Sequence, residues 1–223
     1  QVLEAWREAS PQEFVEPWDW RPSVGAGGRV LVNAVPGDKI LAIDHRFYMD
    51  LGADLDALGV VYDIKNRPDK SPVAYTDFLD RGRIENGRWR PTVARVVGRY
   101  EDGGLGGLNE LVHENGHAVH ISAIRNRPAF TDWTDTLFTE AFADVPSWSV
   151  YEPEFQRKYL GAEAPLGPSL RTLFGGVVMD IAWSLFEIRM LRDPDSAPNI
   201  VWTAITEHYL RITPHTEVPW WAV

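Results

Sequence analysis

The sequence predicts a mainly helical protein with a small antiparallel β-sheet, an α+β chain in a single domain, residues 1–223. Three observations point to that class. Apolar residues recur at helical spacing through most of the second half. Short β-rich runs broken by Pro, Asn and Gly occupy residues 60–98. A glycine-rich stretch, EDGGLGG, separates the two patterns.

Taken in order, residues 1–28 read as an irregular N-terminal segment, 29–100 as a small sheet region and 101–223 as a helical region. A short helix is expected near Val2–Ala9, followed by a loop rich in Trp and Pro that ends in GAGG. RVLVNA reads as a strand. In PGDK, Asp38 is a candidate N-cap for a helix carrying Ile40, Ile43, Phe47 and Leu51 at helical spacing, with Gly52 as its stop. VVYDI, VAYTDF and TVARVVGRY are the expected strands. Helices are then expected at about 105–126, 132–151, 153–160, 169–192 and 198–211. The fourth presents a broad apolar face and carries Asp180 as a solvent-directed or paired carboxylate.

Composition narrows the function. The net charge of −10, with no basic stripe, argues against nucleic acid or an anionic membrane as partner. No apolar run approaches the ~20 residues that span a bilayer, and no signal peptide is visible, so a cytoplasmic location is expected. The chain has no cysteine, so any metal site must use His, Asp and Glu. It begins at Gln1 without an initiator methionine and ends in PWWAV, from which a fragment of something longer is expected.

NELVHENGHAVHISAIR carries three of the six histidines. HENGH matches H-E-x-x-H, which on a helix places His113 and His117 one turn apart on one face with Glu114 to the side. The two imidazoles can share an ion, and Glu114 can take a proton from a water activated there. His120 also lies on this face, but one straight helix is poorly built to give a tetrahedral ion three ligands, so a packing role is expected for it. The third ligand is expected from TLFTEAFADV. Residues 118–139 leave room for a loop and a returning helix that brings Glu140 to the ion. Asp144, one turn further, can accept a hydrogen bond from a ligand imidazole. The expected cofactor is one Zn²⁺ per chain, held by His113, His117 and Glu140.

These motifs, HENGHAVH followed by TEAFADV, resemble the zinc peptidases that include thimet oligopeptidase and oligoendopeptidase F, with relatives around angiotensin-converting enzyme. Gly116 falls at the matching place, and the likeness is clearest over residues 40 to 160. The resemblance implies a zincin-like catalytic domain that hydrolyses peptide bonds in short peptides, with Glu114 activating a zinc-bound water. It also implies an edge strand pairing with the extended substrate, for which Val96, Val97, Gly98 and Arg99 are the candidates, the glycines after them forming a mobile lid. The family's oxyanion-stabilising tyrosine has no clean counterpart among Tyr151, Tyr159, Tyr209, His208 and His215. The resemblance also implies that the family's N-terminal helical part and a C-terminal segment are missing, and a catalytically impaired zinc-binding helical fragment is therefore the alternative expectation. The gap between His117 and Glu140 is longer than in thermolysin-like aminopeptidases.

Overall fold

The computed structural model describes residues 1–125 and 136–222. The helices are α1 (Val2–Ala9), α2 (Trp20–Val24), α3 (Ala26–Val30), α4 (Ile40–Asp50), α5 (Leu55–Leu58), α6 (Gly104–Ala123), α7 (Thr136–Trp148), α8 (Pro153–Phe155), α9 (Leu166–Arg192) and α10 (Pro198–Leu210). Between α5 and α6 run the strands β1 (Val61–Asp63), β2 (Tyr75–Asp80), β3 (Arg83–Glu85), β4 (Arg88–Arg90) and β5 (Val93–Val97). The structure is 58% helical, so the expected class, mainly α with a little β, holds. The chain divides into two compact units, Gly28–Leu166 and Gln1–Gly27 with Gly167–Val223.

In the unit Gly28–Leu166 the sheet has the order β1-β5-β2 and is mixed, which corrects the antiparallel expectation. β2 does run antiparallel to β5, with Thr76 opposite Val96, but β1 pairs parallel to β5, with Val61 opposite Arg95. Parallel neighbours need a long crossover, and the residues between Asp63 and Val93 supply it. A separate hairpin, β3–β4, turns at Asn86 (φ 51°) and Gly87 (φ 74°). Asn-Gly favours that pair of left-handed residues and gives the turn the twist of the strands it joins. Ala94, Val96 and Val97 of β5 are buried, and α6 packs on β5 and β2. Leu105, Leu108, Leu111, Val112, Ala118 and Ile121 bury the faces of α6 that meet the sheet, α4 and α7. At Gly116 a Cβ would fall 2.7 Å from Cα of Ala143, so only glycine lets α6 and α7 approach this closely.

Several local expectations change. RVLVNA is not a strand: α3 runs to Val30 and turns follow, closed by bonds such as Ala34 N to Leu31 O (2.9 Å). Leu31 and Val35 are buried while Val30 and Val32 are exposed. That four-residue spacing is helical, and it decided the outcome over β-propensity. Asp38 does not cap α4, whose N-cap is Lys39 with no side-chain bond. Gly52, with φ 88°, does follow the end of α4. EDGGLGG is no free lid, because Gly104 N donates to Val35 O (2.7 Å) and a Cβ on Gly103 would fall 2.2 Å from that oxygen. The glycines instead pack the start of α6 against residues 35–37. The helix expected at 153–160 is α8 followed by a π-type turn. Residues 126 and 132–135 of two expected helices lie outside the described residues.

In the other unit α1 packs on α10, and the loop expected before GAGG contains a 3₁₀ turn and α2. Its core joins Leu3, Trp20, Val178, Ala182, Phe186 and Trp202, with Trp183 stacked on Trp202 at 4.3 Å. Trp220 and Trp221 pack into this same core, against Trp202 (5.0 Å) and Phe186 (5.6 Å). The terminal tryptophans thus have partners within the unit. Asp180 is exposed. Among the described residues no helix is long and apolar enough to cross a membrane.

Candidate metal centre

HENGH occupies the middle of α6, inside the unit Gly28–Leu166. The four-residue spacing brings the rings of His113 and His117 to 4.6 Å between centroids, with their planes nearly perpendicular. The close approach at Gly116 carries α7 alongside, and Glu140 Oε2 reaches 3.3 Å from His113 Nε2 and 3.5 Å from His117 Nε2. Among the described residues these three form the one group of metal-ligand type whose donor atoms all lie within 4.8 Å of one another. On the far side of its ring, His113 Nδ1 lies 2.9 Å from Asp144 Oδ1. Asp144 accepts the Nδ1 proton and so leaves Nε2 as the nitrogen facing Glu140.

Two imidazole nitrogens and one carboxylate oxygen suit a divalent ion of borderline hardness. The residues present therefore fit a metal ion. The electrostatics agree. Burial pushes the His113 imidazolium down, but the Asp144 hydrogen bond and the charges of Asp144, Glu114 and Glu140 outweigh it, and its pKa ends above the ordinary value. His117 goes the other way, lowered by burial and then by its neighbour His113. The two histidines thus cannot both hold a proton easily, while a shared cation satisfies both. Burial raises Glu114 above the usual carboxylate range, against the Thr76 hydrogen bond and the His113 charge.

A cleft of about 380 Å³ opens over these groups, lined by Ala74, Tyr75, Thr76, His113, Glu114, His117, Thr139 and Glu140. Its strand wall is β2. The hydroxyl of Thr76 sits 2.7 Å from Glu114 Oε2 and 2.9 Å from the Glu114 carbonyl oxygen. This corrects the substrate-strand expectation for Val96, Val97, Gly98 and Arg99. β5 is the central strand, with β1 and β2 on its two sides, and Val96 and Val97 are buried. Gly98 N donates to Asp63 O (3.2 Å) and Arg99 donates to Lys70 O (2.5 Å). The edge strand at the cleft is β2, which among the described residues pairs on one side only.

His120 packs against Phe138 and Phe142 at 5.4 and 5.1 Å and is not part of the ligand group. Of the downstream tyrosines, Tyr151 is buried, its hydroxyl pushed up to about 12 by desolvation, and Tyr159 donates to Asp50 (2.8 Å). Tyr209, His208 and His215 belong to the other unit.

Behind the ligand face the helix is held by a second polar set that sequence reasoning missed. Asn115 Nδ2 donates to Asp44 Oδ2 (2.6 Å), Asn115 Oδ1 accepts from Tyr62 (2.9 Å), and Tyr48 donates to Val112 O (2.5 Å). Asp44 is fully buried, and desolvation raises its pKa well above the usual range despite the Asn115 bond. Asp44 at a polar step among Ile40, Ile43 and Phe47 was the one available signal. Thr76 carried none, because its partner comes from tertiary structure. No family model matches the chain, and no curated protein matches it at a significant level.

Proposed function

We propose that this chain is a zinc-dependent peptidase of zincin-like type, hydrolysing peptide bonds in short peptides. One observation carries the reading: Glu114 shares a single cleft with His113, His117 and Glu140, and a purely structural metal site has no use for that carboxylate. The resemblance of HENGHAVH and TEAFADV to the oligopeptidase and converting-enzyme families supports the same activity, as does an open strand edge at the cleft wall, to which an extended peptide can pair.

His113, His117 and Glu140 would hold the ion, with Asp144 fixing the tautomer of His113. The ion supplies Lewis-acid polarisation of the scissile carbonyl and lowers the pKa of a water at the site. Glu114 takes a proton from the attacking water as its oxygen bonds to the carbonyl carbon, and later delivers it to the leaving amine nitrogen when the C–N bond breaks. Burial, which raises the Glu114 pKa, suits it to both roles. Short peptides are the proposed partners, and the cytoplasm the proposed location.

The test is cleavage of internally quenched short peptides by the zinc-loaded chain. Activity is expected to be lost with a chelator, regained with zinc, and reduced by at least about 10²-fold in Glu114→Gln, which keeps its metal. A metal-bound chain that cleaves no peptide supports the second reading, a zinc-binding module without turnover. That reading is favoured by the cleft lining, which includes none of the downstream tyrosines or histidines.

A further inference from the structure

The hydroxyl of Thr76 faces two acceptors of one residue, the side-chain Oε2 of Glu114 at 2.7 Å and its main-chain carbonyl oxygen at 2.9 Å. It comes from β2, whereas Glu114 belongs to α6, so this contact ties the cleft's strand wall to its carboxylate. Successive side chains alternate across a strand, so Asp77 lies on the opposite face of β2 from Thr76. Asp77 is engaged there by Arg95 (2.7 Å), which holds the strand on its far side.

We propose that Thr76 is a positioning residue for Glu114, whose hydroxyl ties the carboxylate of that residue to its own main chain and to β2. The inference rests on the peptidase reading and extends it to a residue outside the motif. A hydroxyl offers one proton and two lone pairs. Thr76 shares its one proton between Oε2 and the carbonyl oxygen of Glu114, and so fixes the carboxylate against its own helix. A methyl group in the same place could donate to neither oxygen.

The experiment compares Thr76→Val, which keeps the shape, with Thr76→Ser, which keeps the hydroxyl, on the zinc-loaded full chain. For Thr76→Val, kcat is expected to fall about 10- to 100-fold, with KM and the zinc Kd within about twofold of the wild type. Thr76→Ser is expected to restore kcat to within about threefold. A Thr76→Val chain that retains kcat overturns the proposal, and so does one whose kcat falls only in step with lost zinc affinity. A thermal double-mutant cycle of Thr76→Val and Glu114→Ala gives a readout independent of turnover. Melting shifts non-additive by about 2–4 °C support the positioning contact, and additive shifts overturn it. Should the wild type bind zinc but cleave no peptide, the peptidase reading fails, while the cycle still decides the Thr76 contact.

Discussion

The two sides of α6 treat polar groups in opposite ways. On the back, Asn115 and the Val112 carbonyl are each bonded to a named partner from α4 or β1, with Asp44, Tyr62 and Tyr48 closing the set. On the front, His113, His117 and Glu140 crowd their donor atoms within 4.8 Å, with no hydrogen atom able to satisfy all three at once. The back is a set of hydrogen bonds that fixes where the helix lies. The front is a set of donor atoms close enough together to hold a metal ion. Fixing the back leaves the front little freedom to reorganise, and a metal site gains from that preorganisation.

That contrast predicts where substitutions act. The largest effect is expected on the front: His117→Ala should weaken zinc binding by on the order of 10³-fold while the apo chain melts near the wild-type temperature. Competition with a chromophoric chelator measures the first, and apo-state melting the second. An intermediate effect belongs to the back. Asn115→Ala takes the Asn115 bond from fully buried Asp44 and leaves half-buried Tyr62 with only His45, and should cost about 2–3 kcal/mol of stability in chemical denaturation of the apo chain. Equal effects of these two substitutions on both readouts would erase the distinction between the faces.

The smallest effect sharpens the comparison through pH. Burial raises the Asp44 pKa above its unfolded value, so between the two values the native state holds more protons than the unfolded one. Stability contributed by this group is therefore full below the unfolded value of about 3.9 and falls as pH rises toward the folded pKa. Asp44→Asn keeps an oxygen for Asn115 and removes the titration. Its melting temperature relative to wild type should climb steadily from pH 4 upward, in the apo chain as in the metal-loaded one. A difference that shrinks with pH would contradict the assignment.

The legible part of the molecule is the part governed by local periodicity. The 3.6-residue pattern located α4, α6, α9 and α10, and the i, i+4 spacing of His113 and His117 turned directly into neighbouring rings on one face. Glu140 and Asp144 were readable for the same reason, since both sit on one face of an amphipathic helix. What depended on long-range pairing was not. β1 chose a parallel partner 34 residues along the chain, with Val61 opposite Arg95, which no local pattern encodes. TVARVVGRY read as an edge strand, yet its buried valines fit a central one, and the residue that touches Glu114 came from VAYTDF instead. The Asn86-Gly87 turn was a local signal that went unused, whereas RVLVNA had the composition of a strand and no sheet to join. The Asp44–Asn115–Tyr62 set joins three elements far apart in sequence.

The central claim is that His113, His117 and Glu140 hold one zinc ion. Its most direct test is zinc per chain by elemental analysis, on protein purified without added metal and dialysed against a weak chelator. About one zinc per chain is expected for the wild type and for Glu114→Gln, and close to none for Glu140→Ala. A folded wild-type chain that contains no zinc, and takes none up when it is supplied, would contradict the claim.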